Sequence, residues 1–239
     1  MNINTVIKRI IGEKASNRIS KSRQNYRANR LNHIANQFHR IYYDSAVWTK
    51  TTWLGVPLWK CPLDLWLYQE ILYAVKPDLV IETGTALGGS ALYFASLLDL
   101  LGKGQIVSVD IEMNEERPQH PRITYVHGSS TAPEIIRSMQ QYAEGKKAVL
   151  VVLDSNHSKM HVLREMELYG TLVTNGSYMI VEDTNINGHP VLNNFGSGPY
   201  EAVEEYLRRH EEFSIDYDQE KSMVSFNTHG YLKKAKASG

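Results

Sequence analysis

Five carboxylates stand where apolar runs stop: Glu82 after LVI, Asp110 after IVSV, Asp154 after VVL, and the pair Glu182-Asp183 after MIV. Carboxylates gathered from separate strand ends repel one another unless a cation or a proton compensates them. Asp154, Glu182 and Asp183 would converge if their two strands were neighbours, because paired strands lie about 4.8 Å apart. An all-oxygen set of this kind suits Mg²⁺, with Mn²⁺ or Ca²⁺ as alternatives. Zinc suits it less, since no second histidine has ligand spacing to His157. The same acids could instead cap helices or pair with Lys159 or Arg164. His157 lies three residues past Asp154, and a neutral imidazole beside a metal-bound hydroxyl is a natural general base. It could equally be a helix-start residue bonded to a carboxylate. His161, His189 and His127 are weaker candidates, as loop or packing residues.

A second chemistry-bearing segment runs Glu82-Thr83-Gly84-Thr85-Ala86-Leu87-Gly88-Gly89-Ser90. Its glycines permit a tight turn and close backbone approach. The spacing is neither G-x-G-x-x-G nor the phosphate loop ending in Gly-Lys-Ser/Thr. An acid ahead of the first glycine repels a pyrophosphate but suits a cationic or hydroxyl-bearing ligand. Asp110, 28 residues after Glu82, is placed to accept hydrogen bonds from a ribose diol. The bland alternative is a strand–turn–helix whose glycines serve packing alone.

The elements that must position these residues alternate along the chain. Strand patterns at 78–83, 105–110, 123–128, 148–154 and 177–183 are separated by helical patterns at 88–101, 132–143 and 158–169. Near-continuous Val/Ile/Leu strands alternating with helices predict a parallel sheet covered on both faces, an α/β doubly wound Rossmann-like fold. A helix at 200–210 and a closing antiparallel pair at 213–217 and 222–227 follow. Ahead of the sheet, Pro62 suits the first turn of a helix to Val75, and 44–61 is an aromatic-rich irregular stretch. Trp48, Trp53 and Trp59 there could line a lid or simply pack that stretch down. Cys61 reads as a small buried apolar group. The loop with Asn185, Asn187, Gly188, Asn194, Gly196 and Gly198 follows the acid pair and sits where substrate recognition is common.

Acid-x-Gly-x-x-x-Gly-Gly-Ser, the second-strand acid and the element order together resemble class I S-adenosylmethionine-dependent methyltransferases. More closely the chain resembles the cephalosporin hydroxylase and rhamnosyl O-methyltransferase family. The matching text is TWLGVPLWKCPLDLW (52–66), KPDLVIETGTALGGSALYFA (76–95), HPRITYVHGSS (120–130), VVLDSNHSKMHV (151–162), YMIVEDTNINGHP (178–190) and GPYEAVEEYL (198–207). By that resemblance Glu82, Gly84 and Gly88, in a loop that also holds Thr83 and Ser90, would line the methionine moiety. Asp110 would hold the ribose, and Gly128, Ser129 and Ser130 the adenine edge. Asp154, Glu182 and Asp183 would hold Mg²⁺ and chelate a hydroxyl of a small molecule, a sugar or glycosylated metabolite, with His157 taking its proton. Two rivals stand beside this reading. A non-haem iron hydroxylase needs two histidines and a carboxylate, and the one His-x-acid is His210-Glu211-Glu212. A non-catalytic cofactor-binding scaffold would have no use for Asp154, His157, Glu182 and Asp183.

Composition bounds these readings. The 239 residues carry 26 basic and 26 acidic side chains, so the whole chain is not a polyanion binder. The balance is uneven: residues 1–40 hold nine basic side chains and one acid, and the remainder carries the opposite excess. Ile3, Val6, Ile7, Ile10 and Ile11, then Leu31, Ile34, Phe38 and Ile41, follow helical spacing, so residues 1–43 read as a basic amphipathic arm ahead of a methyltransferase domain at 44–239. Such an arm suits docking in a homo-oligomer or contact with an anionic membrane surface; no aromatic–basic interleaving points to nucleic acid. One cysteine excludes a disulfide framework and fits a reducing compartment. No apolar run reaches the ~18 residues of a membrane span, and Asn2, Asn4, Lys8 and Arg9 interrupt any signal-peptide core, so a cytoplasmic location is expected.

Overall fold

The computed structural model describes residues 13–236, with side chains from residue 29 onward. The first amphipathic stripe, Ile3 to Ile11, lies outside the described residues. Helix α1 (Glu13–Asp44) leads through a 3₁₀ turn (Val47–Lys50) to a small hairpin, β1 (Thr52–Trp53) and β2 (Val56–Pro57). Then come α2 (Pro62–Val75), β3 (Leu79–Thr83), α3 (Gly89–Leu100), β4 (Gln105–Asp110), β5 (Ile123–His127), α4 (Pro133–Ala143), β6 (Val149–Leu153), α5 (Lys159–Tyr169), β7 (Tyr178–Val181), α6 (Pro199–Leu207), β8 (Phe213–Ile215) and β9 (Tyr231–Lys234).

The large sheet has seven strands in the order β5-β4-β3-β6-β7-β9-β8. β3 pairs in parallel with β4 on one side and β6 on the other, and β6 pairs in parallel with β7. β9 runs antiparallel to both β7 and β8. Successive side chains of a strand point to opposite faces, and both faces are dry. Ile81, Val109, Val151 and Met179 pack against α4, α5 and α6, while Val80, Ile106, Leu150 and Ile180 pack against α2 and α3. The chain winds outward from β3 through β4 and β5, then returns to start β6 on the other flank. The strand order therefore reverses between β3 and β6, and a ligand cleft forms at the carboxyl ends there.

One expectation changes. The partner of β8 is β9 at 231–234, not the segment 222–227. Val224 and Phe226 are buried, and the Phe226 N–H donates to Asp64 Oδ2 at 2.8 Å, so that apolar segment serves packing between helices instead of a ladder. The carboxyl end of the basic helix docks on this same chain. His39 is 3% exposed and lies flat against Phe226, with ring centroids 5.5 Å apart. Its Nε2 lies 2.9 Å from Asn185 Nδ2, placing the amide as donor to the ring, and Arg40 Nε donates to the Pro190 carbonyl at 3.0 Å. Leu31, Ile34, Phe38 and Ile41 face outward, all between 46% and 69% exposed.

Burial, with a smaller push from Arg40, lowers the His39 imidazole from 6.5 to about 4. The fold therefore binds the neutral ring, and its stability contribution is complete above the unfolded value of 6.5 and lost as pH falls towards 4. A shift of that size corresponds to roughly 3 kcal/mol at most. We expect wild type to lose more stability than His39→Gln between pH 7.5 and pH 4.5 in urea melts. Parallel losses would contradict a buried neutral His39.

Candidate active site

Asp154 follows the last residue of β6, and Glu182-Asp183 follow β7, so two neighbouring parallel strands deliver all three acids to one place. The charge that compensates them is Lys60, from the segment that precedes α2. Its Nζ, in a side chain only 4% exposed, donates to Asp154 Oδ2 at 2.7 Å and to Glu182 Oε1 at 2.5 Å. Burial alone would push the Lys60 amine down, but Asp154 and Glu182 outweigh it and hold it above the ordinary lysine range. Burial pushes Glu182 upward against the pull of Lys60. Burial acts in the same sense on Asp154, where Lys60 and His157 prevail and hold it low. Sequence reasoning missed Lys60. The available signal was a single charge between Trp59 and Cys61 in an apolar run.

His157 closes the other side. Its Nε2 lies 3.4 Å from Asp154 Oδ1 and 3.4 Å from Asp183 Oδ2. Burial works against its proton, but the two acids raise it to about 9. Asp183 holds a left-handed backbone, φ 54°, which costs an L-residue strain, and its N–H donates to the buried Asn227 Oδ1 at 3.1 Å. Asn227 Nδ2 in turn donates to Tyr68 Oη at 2.6 Å, so an amide from the far end of the chain sets the direction of Asp183. Asp154, His157 and Asp183 form the three-ligand group among the described residues, with donor atoms within 4.8 Å of one another. Glu182 stands apart from that group, turned to Lys60. The two hard carboxylate oxygens, with water completing the shell, suit Mg²⁺, Mn²⁺ or Ca²⁺, and the imidazole beside them is placed next to such an ion. The second histidine of an iron triad is not in this group; His210 pairs instead with Glu167 at 2.9 Å.

The glycine loop lies directly against these acids. Gly84 has φ +83°, and a Cβ there would lie 1.9 Å from the Asp154 carbonyl oxygen. Its freedom is needed for contact with β6, which is a packing reason. Thr83 is fully buried and its carbonyl accepts the Asp154 N–H at 3.0 Å. Gly88, at φ +81°, caps the start of α3, and Ser90, its second residue, is buried. Glu82 is fully buried below the loop. Its Oε2 accepts from Ser108 Oγ at 2.5 Å, its Oε1 has no partner, and burial pushes it up to about 7 against the pull of Lys60. Asp110 is engaged by the loop itself: Oδ2 accepts the N–H groups of Thr85 and Ala86, each at 2.8 Å, and pairs with Arg117 at 3.2 Å. Gly128, Ser129 and Ser130 follow β5 at the same end of the sheet. Ser130 Oγ lies 3.2 Å from His161 Nε2, and Tyr169 Oη donates to the Ser130 carbonyl at 2.8 Å.

A cleft of about 280 Å³ joins the loop to the acids, lined by Trp48, Trp59, Lys60, Ser90, Asp154 and His157 among others. Trp48 and Trp59 thus occupy its wall. Trp53 packs elsewhere, donating to Ser96 Oγ at 3.0 Å and meeting Tyr93 edge-on. His189 stacks on Tyr200 and lies 3.1 Å from Glu201, and His127 lies 3.0 Å from the Ile111 carbonyl. Cys61 is buried, and burial pushes its thiol up to about 12.

The reversal of strand order at β3 and β6, the single antiparallel strand β9 and a glycine turn at the switch point define the class I methyltransferase fold. A family described as rhamnosyl O-methyltransferase/CmcI matches residues 45–235, and the chain belongs to that family. It is 44% identical over 210 residues to a rhamnosyl O-methyltransferase of Mycobacterium leprae (strain TN), covering 83% of this chain and 90% of the relative. It is 45% identical over 189 residues to a rhamnosyl O-methyltransferase of Mycobacterium bovis, covering 77% and 76%. Among solved structures, CmcI with Mg and SAM is similar in fold, with a TM-score of 0.59 at 19% identity over 78% of this chain and 77% of that one.

The contact between Gly84 and Asp154 is testable through stability. Gly84→Ala adds a clash with backbone to a left-handed conformation and should cost more than roughly 3 kcal/mol in denaturant unfolding. Gly145→Ala, also at positive φ but facing open space, should cost about 1–2 kcal/mol. Equal costs would show that the loop does not pack on the acid's backbone.

Proposed function

We propose that this chain, an S-adenosylmethionine-dependent O-methyltransferase by family, methylates a hydroxyl of a sugar or glycosylated metabolite with the help of a divalent cation. The observation that carries the reading is the contiguity of the glycine loop and the acid group across one cleft at the switch point. The sugar acceptor is supported by the rhamnosyl O-methyltransferases to which the chain is similar, and the cation by the Mg and SAM of the CmcI structure. Gly84 and Ser90, which line the cleft, would take the methionine end of the donor, with Glu82 and Thr83 buried beneath the loop and Gly88 turning it, while Asp110 would take its ribose and Gly128, Ser129 and Ser130 the adenine. Asp110 can accept a diol only while also holding the loop, so it fixes loop and ribose together. Asp154 and Asp183 would hold Mg²⁺, Mn²⁺ or Ca²⁺, with Glu182 joining them. When bound, the cation supplies the Lewis acidity that lowers the acceptor hydroxyl's pKa.

His157 is the proton acceptor in this reading. Held between two bare carboxylates it keeps its own proton; with their charge directed to a cation, the ring would give that proton to solvent and, now neutral, could take one from the acceptor. Trp48 and Trp59 offer apolar faces on which a sugar can lie. General base catalysis contributes about 10²–10⁴-fold. His157→Ala should therefore lower turnover by at least about 10²-fold while S-adenosylhomocysteine still raises the melting temperature as in wild type. Turnover left intact would remove His157 from the role, and no thermal shift with either nucleotide in wild type would remove the methyltransferase reading.

We also infer a homo-oligomer built through α1. Its outward stripe of Leu31, Ile34, Phe38 and Ile41 is a continuous apolar face on a basic segment, and the rest of the chain carries the complementary acidic excess. No helix among the described residues is long and apolar enough to cross a membrane. Light scattering should give a mass of at least two chains, reduced to one by Ile34→Glu with Ile41→Glu at unchanged melting temperature. A monomer before and after substitution would contradict this, and binding to anionic vesicles would then account for the stripe.

A further inference from the structure

Lys60 has a consequence beyond neutralising acids. The segment carrying it is fixed rigidly: a Cβ on Gly89 would lie 2.1 Å from the Pro57 carbonyl oxygen, so the chain just ahead of Lys60 lies on the start of α3. Just behind it, Asp64 of α2 is buried and bonded by Tyr231 Oη at 2.8 Å and by the Phe226 N–H. The ammonium is thus delivered into the acid group by a segment anchored on both sides. There it engages one oxygen of Asp154 and one of Glu182. His157 holds the other Asp154 oxygen together with Asp183.

We propose that Lys60 is a resident counter-cation of the acid group, a positioning residue that holds Asp154 and Glu182 together when no metal ion is present and must release Glu182 for a divalent ion to bind. The inference rests on the proposed cation dependence. Two cations competing for the same carboxylates repel one another, and at a partly buried site this repulsion is strong. The side chain therefore has opposite effects on two measurable quantities. It stabilises the metal-free protein, because without it the buried Glu182 loses its one cationic partner and Asp154 keeps only His157. It weakens divalent-ion affinity, because part of the binding free energy goes into displacing an ion pair. A lysine that merely packed the segment would change the first quantity and not the second.

Lys60→Met keeps the length of the side chain and removes its charge. In EDTA the variant should melt at least about 5 °C below wild type, and saturating Mg²⁺ should restore more than half of the difference. By isothermal titration calorimetry it should bind Mg²⁺ and Mn²⁺ at least about tenfold more tightly than wild type. In a Glu182→Gln background the same substitution should tighten binding by less than about threefold, since the carboxylate that Lys60 withholds is then absent. Affinity equal to or weaker than wild type in Lys60→Met would overturn the inference while leaving the cation in place. Wild type that binds neither ion would overturn the cation dependence itself and the inference with it. If Lys60→Met folds only when Mg²⁺ is present, the ion has replaced the ammonium as the inference requires. If it folds under neither condition, the Glu182→Gln pair decides: a gain of tenfold or more on adding Lys60→Met there contradicts the inference.

Discussion

A buried ammonium between two carboxylates organises the carboxyl edge of this sheet. Parallel strands β6 and β7 bring Asp154 and Glu182-Asp183 together whatever follows, because the register of the sheet fixes them there. Without Lys60 the group would hold three like charges in a partly closed cleft. With it, the N-terminal segment is tied to the strand ends by a lysine side chain 4% exposed, and Trp48 and Trp59 are carried to the cleft wall by the same stretch of chain. A buried pair of this kind is weak evidence for net stability, since desolvation offsets much of the attraction. Its value is positional. Asp154 and Glu182 cannot splay apart, and Asp154 keeps its charge.

Around that centre, separate parts of the chain each constrain one member. Asn227, at the far end, holds Asp183 in its left-handed backbone. Asp110 holds the glycine loop through two N–H groups, and Gly84 allows that loop to touch Asp154. His39 ties α1 to Asn185, two residues beyond Asp183. The site is preorganised by buried polar contacts on rigid elements, which is what alignment of an activated methyl with an acceptor oxygen requires.

Much of this was legible in the sequence because it depends on local pattern. Apolar runs alternating with helical spacing gave the sheet and both covering layers, and acids at the ends of those runs fell together once the strand order was parallel. Long-range partners were not legible. Lys60 is 94 residues from Asp154 and 122 from Glu182, and nothing in its own neighbourhood says what it meets. The misplaced closing strand has the same origin: residues 222–227 have the apolar content of a strand, but the Phe226 N–H is claimed by a tertiary hydrogen bond to Asp64, and β9 lies further on at 231–234. Asp110 looked like a free acceptor because the turn that fills its Oδ2 is 24 and 25 residues away. The exposed stripe on α1 was readable as apolar, while the burial of His39 on the opposite side was not.

The central claim is that methyl transfer to a sugar hydroxyl takes place at the Asp154–Asp183 acids and depends on a divalent cation there. The most direct measurement is transfer of radiolabelled methyl from S-adenosylmethionine to a rhamnose-bearing acceptor, run with EDTA and again after Mg²⁺ is restored. The account predicts label in the acceptor as an ether-linked methyl, lost on chelation and recovered with Mg²⁺. Transfer that proceeds equally well in EDTA, with the acceptor methylated at the same hydroxyl, would contradict it.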